Sequence, residues 1–212
     1  MRTQSRMCPT SPHSARSTVR YSSAEVPTEF GNFRVVVYQE PAEKKEHVAI
    51  IKGDIEGAED VLLRVHSECL TGEVLHSMKC DCRDQLDLAL KRIEEEGRGV
   101  VVYLRQEGRG IGLGNKIKAY AMQEEGLDTV DANLALGFGD DDREYQVAAE
   151  IIKDLGIRSV VLMTNNPRKV DGLRADGIVV SKRVDHSVQA HELNRDYLKT
   201  KTERLGHLGA KK

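Results

Sequence analysis

Hydrophobic residues along the chain form short runs, separated by segments in which apolar positions recur at helical spacing. Five of the runs have the length and the β-branched content of strands. They span residues 33–38, 47–52, 61–66, 99–104 and 159–163. Each is predicted to form a strand of a sheet.

Helical spacing appears in three segments, and each of these ends near a glycine. The segments are 86–93, 117–121 and 147–155, followed by Gly97, Gly126 and Gly156. Pro167 is placed to open another helix, and a last one is predicted from about Glu192 to Leu205. Strands and helices that alternate in this way predict an α/β or α+β fold, in which a mixed β-sheet is flanked by helices.

The first residues do not share this pattern. Residues 1–24 are rich in Ser and Arg, contain no acidic residue and show no sustained apolar period, so we expect a flexible tail. Its composition is similar to that of an organelle transit peptide, while a bacterial extension or a start at Met7 explains it equally well. The folded part is expected to be one catalytic domain, residues 25–212.

Composition narrows the class of protein. With 212 residues, 39% of them hydrophobic, the chain can bury a substantial core. Because 32 basic residues nearly balance 34 acidic ones, no overall field favours a nucleic acid polymer. No apolar run approaches the length of a membrane span, and no basic segment with an apolar core indicates secretion. We therefore expect a cytoplasmic protein without a membrane partner.

Three cysteines lie close together in the sequence: Cys69, Cys80 and Cys82. In a reducing compartment, cysteines are more often ligands or catalysts than disulfide partners. A zinc ion with three protein ligands keeps a fourth position for water, which favours hydrolysis over a structural role. Buried free thiols are the alternative. The Cys-Asp-Cys pair favours a metal, since its thiols share a face in a strand or converge in a tight turn, and a disulfide between them would be strained.

Two polar segments follow predicted strands near these cysteines. Residues 64–68 end a buried strand with Arg64, His66, Ser67 and Glu68, which indicates either a ligand site or a solvated strand end. The segment RQEGRGIGLGNK, residues 105–116, combines glycines with three cations. Its backbone amides could approach a phosphate, although it is neither a Walker loop nor a dinucleotide fingerprint.

Two further segments carry candidate anion-binding groups. TNNPRK, residues 164–169, follows a strand and opens a helix, so it is either a phosphate clamp or an ordinary capped helix start. GDDDRE, residues 139–144, sets Arg143 among carboxylates. That run is either a solvated face or a site where an arginine acts on phosphorus beside an acidic proton acceptor.

Taken together, these motifs closely resemble GTP cyclohydrolase II. The resemblance runs in order from Glu25 to His207 and rests on RVHSECLTG, the Cys-Asp-Cys pair, RQEGRGIGL, NKIKAY, DTVDAN, DDREY and MTNNPRK. It implies a GTP cyclohydrolase II-like fold, a homodimer, and zinc-dependent hydrolysis of GTP. The implied products are 2,5-diamino-6-ribosylamino-4(3H)-pyrimidinone 5′-phosphate, formate and pyrophosphate, in the first step of riboflavin synthesis. It also implies Mg²⁺ on the substrate phosphates.

The resemblance also implies roles for individual residues. Cys69, Cys80 and Cys82 match the zinc ligands, and Asp141 matches a proton acceptor. Arg143 matches a proposed nucleophile on the α-phosphorus, although electrostatic stabilisation explains the same residue with less unusual chemistry. Tyr120 matches a tyrosine near the ring chemistry; the alternative is a half-buried helical tyrosine. The GTP-contacting positions are Arg64, Val65, His66, Ser67, Glu68, Gln85, Glu107, Gly108, Arg109, Thr129, Thr164 and Lys169.

Gln85 and Glu107 carry groups that could read the guanine edge. Many members of this family are fused to a 3,4-dihydroxy-2-butanone 4-phosphate synthase domain, and the residues before Glu25 are too few for one. We therefore expect only the cyclohydrolase step. Two other functions stay open: a related hydrolase that stops at the formamide or serves a specialised pathway, and a GTP-binding or zinc-storage module without turnover.

Overall fold

The computed structural model describes residues 18–127, 129–138, 143–189, 192–194, 206 and 208. Seven strands lie within this part of the chain: β1 (Val19–Thr28), β2 (Gly31–Glu40), β3 (Lys45–Lys52), β4 (Val61–Ser67), β5 (Gly99–Leu104), β6 (Val160–Met163) and β7 (Val180–Val184). The helices of the same part are α1 (Leu70–Glu73), α2 (Cys82–Glu96), α3 (Gly112–Glu124), α4 (Thr129–Ala135), α5 (Gln146–Asp154) and α6 (Pro167–Ala175). Two 3₁₀ turns span Glu107–Gly110 and Glu192–Asn194.

All seven strands belong to one mixed sheet, in the order β1-β2-β3-β5-β4-β6-β7. Pairing is antiparallel from β1 through β3 to β5 and parallel from β5 through β4 and β6 to β7. The carboxyl ends of β4, β5, β6 and β7 therefore meet at one edge of the sheet. In sheets of this type, ligands bind beyond those ends.

Helices cover both faces of the sheet. The larger apolar cluster joins the sheet to α5 and α6 and includes Ile151, Ile152 and Leu173. A smaller cluster on the other face joins Phe33 and Val101 to α2. This arrangement confirms the predicted mixed sheet flanked by helices.

The five strands expected from sequence are all present. The three segments with helical spacing lie in α2, α3 and α5, except that Leu155, the last residue of the third segment, is the C-cap of α5. Gly97 adopts the left-handed conformation with φ 72° and closes α2, as predicted. Asn166 caps α6 through a hydrogen bond that its side chain accepts from the backbone N–H of Arg168, with Pro167 following. Of the predicted last helix, the structure describes only a 3₁₀ turn within residues 192–194 and two isolated residues beyond it.

The boundary at residue 24 is wrong, because β1 begins at Val19. Every residue of β1 is exposed, so the strand has no buried face and no apolar alternation to reveal it. Hydrogen bonding to β2 holds it at the edge of the sheet. β7 was also missed, since three of its five residues, Ser181–Arg183, are polar. Among the described helices, none is long and apolar enough to cross a bilayer.

Candidate active site

The three cysteines converge at the carboxyl end of β4. Cys69 caps α1, while Cys80 precedes α2 and Cys82 begins it. Their sulfur atoms all lie within 4.8 Å of one another, and the Cys69 and Cys80 sulfurs are 3.7 Å apart. Two thiolates on a tetrahedral zinc ion, with bonds of about 2.3 Å, lie about 3.8 Å apart. The donor set therefore fits zinc, and the Cys-Asp-Cys pair lies at the start of α2 rather than in a strand.

Gly72, in α1, leaves room for this thiol cluster. A Cβ atom at this position would lie 2.8 Å from the Cys80 sulfur and 3.2 Å from the Cys69 sulfur. Real Cβ atoms essentially never make contacts as short as the first of these. Residue 72 must therefore lack a side chain for the Cys69 and Cys80 sulfurs to occupy these positions.

We expect Gly72→Ala to weaken zinc binding by about tenfold to a hundredfold, because the new methyl group displaces at least one sulfur. Competition against a chromogenic chelator measures this change. Gly114→Ala is the matched control, since a Cβ atom there meets nothing within 4 Å. Unchanged zinc affinity in Gly72→Ala, with the fold intact by circular dichroism, would contradict this assignment of Gly72.

An ion pair supports the cluster from α3. The Lys116 ammonium lies 3.1 Å from the Cys69 sulfur and donates a 2.7 Å hydrogen bond to Glu107. Burial lowers the pKa of Lys116, but the bond to Glu107 and the charge of Cys69 outweigh it and raise that pKa above its ordinary value. Hydrogen bonds from Cys80 and Cys82, together with Lys116, lower the pKa of the Cys69 thiol. These contacts favour the thiolate, which is the form that binds a metal.

Glu107 fixes the glycine-rich turn. One carboxylate oxygen accepts from the backbone N–H of Leu70 at 2.7 Å, and the other accepts from the backbone N–H of Gly108 at 2.9 Å as well as from Lys116. Gly108 and Arg109 both have φ of 63°, a left-handed backbone that is costly for arginine. The Glu107 carboxylate thus accepts three protein hydrogen bonds, and the reading of guanine by Glu107 stays a prediction.

Gln85 is likewise engaged by the protein. Its carbonyl oxygen accepts from the Arg64 guanidinium, and its amide donates to Asp81 at 2.7 Å. Arg64 also donates to the backbone carbonyl of Met163 at 2.9 Å. Burial lowers the pKa of Arg64 to about 10, which leaves it charged at neutral pH. Gln85 therefore orients Arg64, and the reading of the base by Gln85 stays a prediction.

His66 belongs to a buried network that sequence reasoning missed. Its Nε2 atom lies 2.8 Å from Glu73, and the Tyr103 hydroxyl donates to the other Glu73 oxygen at 2.6 Å. The His66 and Tyr103 rings stack with centroids 5.6 Å apart. Burial raises the pKa of Glu73 to about 7. Neither Glu73 nor Tyr103 belongs to the polar runs that drew attention in the sequence.

The carboxyl end of β6 adds a further cation. Lys169, in the first turn of α6, is buried and donates to the backbone carbonyl of Val65 at 2.8 Å. Thr164 is buried too, and its hydroxyl accepts from the backbone N–H of Asn166. The Val65 side chain lies in the core, because strand alternation turns it away from Arg64 and His66. Val65 thus holds the Lys169 ammonium through its carbonyl group, and the contact of Val65 with GTP stays a prediction.

One pocket connects these groups. Most of the predicted site residues line it: Arg64, His66, Ser67, Glu68, Cys69, Cys80, Cys82, Gln85, Glu107, Gly108, Arg109, Tyr120, Arg143, Thr164 and Lys169. Thr129 begins α4, but its side chain is not among those described, and Asp141 lies outside the described residues. Sequence reasoning did not single out Ile111, Ala119, Gln123 or His186, which also line the pocket. Asn165 and Asn166 line it from within the TNNPRK motif.

Tyr120 and Arg143 approach the pocket from different elements. The Tyr120 ring, on α3, lies 4.9 Å from the Lys79 ammonium and 5.8 Å from that of Lys116. Tyr120 therefore lies near the thiol cluster, because Lys116 contacts the Cys69 sulfur. Arg143 precedes α5 and is half-buried.

The fold and the site define an α/β protein with a three-cysteine cluster that could hold a metal ion, in the wall of a pocket lined with cations. The family model described as GTP cyclohydrolase II matches residues 19–185. The chain belongs to the GTP cyclohydrolase II family, and it is a hydrolase of the type that performs the first step of riboflavin synthesis.

Similar proteins cover most of the chain. It is 53% identical over 188 residues to a GTP cyclohydrolase-2 of Actinobacillus succinogenes, covering 89% of this chain and 87% of that protein. It is 54% identical over 187 residues to a GTP cyclohydrolase-2 of Haemophilus influenzae, covering 88% and 87%. The riboflavin biosynthesis protein RibBA of Bacillus mycoides is 52% identical over 196 residues, which are 92% of this chain and 49% of that longer protein.

Proposed function

We propose that this protein binds zinc through Cys69, Cys80 and Cys82 and hydrolyses GTP to 2,5-diamino-6-ribosylamino-4(3H)-pyrimidinone 5′-phosphate, formate and pyrophosphate. The observation that carries the proposal is the 3.7 Å separation of the Cys69 and Cys80 sulfurs in the wall of a pocket lined with cations. When bound there, zinc supplies Lewis-acid chemistry that activates water for hydrolysis. Membership of the GTP cyclohydrolase II family supports guanosine triphosphate as the substrate.

The residues around the cluster hold it in a reactive arrangement. Lys116 balances thiolate charge, and Glu107 keeps Lys116 in place while it closes the glycine turn over the pocket. The Tyr120 ring near Lys116 supports a role for its hydroxyl in positioning water or moving a proton at the base.

The triphosphate is proposed to bind among the cations of the pocket. Arg109, Arg143 and Lys169 line it together and supply positive charge, which favours the departure of pyrophosphate from the α-phosphate. Mg²⁺ is proposed to accompany the phosphates, as it does in most phosphoryl transfers. Asp141 is proposed as the proton acceptor and Thr129 as a further GTP contact, on the resemblance of DDREY and DTVDAN to the family motifs.

We also propose a homodimer in the cytoplasm, with no nucleic acid polymer and no membrane as partner. Family membership supports the dimer. The three free cysteines support the location, because a reducing compartment keeps thiols available as metal ligands.

Product analysis tests this function. Purified protein incubated with GTP, zinc and Mg²⁺ is expected to release formate and pyrophosphate and to yield the pyrimidinone monophosphate by mass. A product that keeps the formyl carbon would replace the proposal with a hydrolase that stops at the formamide. GTP that remains unchanged under these conditions would contradict hydrolysis altogether.

A further inference from the structure

His186 is a buried pocket residue beyond the part of the chain that the family model matches, which ends at residue 185. It follows β7 and is 1% exposed. Its backbone N–H donates to the Asn165 side chain at 3.2 Å, which ties it to the end of β6. The imidazole is therefore held at the edge of the sheet where the other pocket residues meet.

The protonation of this imidazole follows from its partner. The Nε2 atom lies 2.8 Å from the backbone carbonyl oxygen of Gln85. A carbonyl can only accept, so Nε2 carries the proton and Nδ1 carries a lone pair. Burial lowers the pKa of His186 to about 3, and the ring is neutral at physiological pH. Within the part of the chain that the structure describes, Nδ1 has no hydrogen-bond partner.

A buried acceptor of this kind selects among the groups of a nucleotide. Phosphate oxygens offer no proton at neutral pH, so Nδ1 cannot bind the triphosphate. The donors of GTP are the ring N1–H, the exocyclic amine and the ribose hydroxyls. Glu107 and Gln85, the residues first expected to read the base, already accept hydrogen bonds from the protein.

We infer that His186 Nδ1 accepts a hydrogen bond from the exocyclic amine or a ribose hydroxyl of GTP and is a specificity-determining residue of this site. The inference rests on the proposed function. A substrate without the matching donor leaves the buried acceptor unpaired, and that unpaired group is what discriminates against it. The bond from Nε2 to Gln85 aims Nδ1 by fixing both the tautomer and the ring plane.

Two substitutions separate this role from a purely structural one. His186→Gln keeps an amide donor near the position of Nε2, so the tie to Gln85 remains while the acceptor at Nδ1 is lost. His186→Asn keeps an acceptor near the position of Nδ1 and loses the tie. Each variant is assayed for kcat/KM with GTP, inosine triphosphate, 2′-deoxy-GTP and 3′-deoxy-GTP, and its fold is verified by thermal unfolding.

We expect His186→Gln to lower kcat/KM for GTP by about tenfold. One of the three analogues lacks the donor that Nδ1 contacts. The His186→Gln variant should use that analogue almost as well as it uses GTP. If the preference is lost against inosine triphosphate, the exocyclic amine is the donor. If it is lost against a deoxy analogue, the donor is the ribose hydroxyl that the analogue lacks. His186→Asn should retain the wild-type preference and melt at a lower temperature.

Two results would overturn the inference alone while the wild type consumes GTP. One is a His186→Gln variant with wild-type preference for GTP over all three analogues. The other is an equal loss in both variants on every substrate, which would make His186 a structural tie. A wild type that does not consume GTP would remove the proposed function and this inference with it.

Discussion

Cys80→Ser is expected to abolish both zinc binding and GTP turnover. The substitution replaces a thiolate ligand by a hydroxyl that stays protonated at neutral pH, and it leaves only two protein ligands for the metal. Serine is close to cysteine in size, so the buried position keeps its packing. Loss of function would then reflect the lost ligand rather than a collapsed core.

Metal analysis and product analysis on the same preparation measure this effect. We expect zinc content to fall close to zero and formate release to fall by at least about a thousandfold, since the metal supplies the activation of water. Cys8→Ser is the matched control, because Cys8 belongs to none of the sequence motifs that resemble the family, and the same exchange there should change neither quantity. Wild-type formate release from zinc-free Cys80→Ser would show that the cluster has no part in the reaction.

Arg143→Ala is expected to lower turnover by about a hundredfold to a thousandfold while zinc stays bound. Arg143 lines the pocket but is not one of the three thiolate ligands. Arg143 and Arg64 line the same pocket. Removal of one group that stabilises developing charge costs on the order of a hundredfold to a thousandfold in kcat.

Arg143→Lys tests whether positive charge at this position supports turnover. Lysine keeps a positive charge but loses the planar fork of the guanidinium. If Arg143 stabilises charge, this variant should recover part of the activity that Arg143→Ala loses. A variant Arg143→Ala that releases pyrophosphate at the wild-type rate would exclude Arg143 from the reaction.

The hydrophobic pattern predicted the buried half of the fold well because β3 alternates buried with less buried residues, while β4 and β5 are buried almost throughout. It failed at β1, where every residue is exposed and hydrogen bonds to β2 alone define the strand. It failed again at β7, whose middle residues are polar. A strand without a buried face leaves no trace in a pattern of hydrophobic residues.

The candidate site shows the same limit. The sequence predicted that the cysteines would converge, because their spacing restricts where the thiols can lie. It did not predict that Glu107 would clamp the glycine turn or that Gln85 would orient Arg64, since each role depends on partners from distant parts of the chain. His186 carries no local motif, and its importance is visible only where β7 ends beside β6 and α2.

Removal and restoration of the metal test the central claim most directly. The account predicts about one zinc ion per chain in active protein, loss of formate release after dialysis against a zinc chelator, and recovery when zinc is added back with Mg²⁺ held constant. Protein that is free of zinc and still releases formate from GTP at the original rate would contradict it.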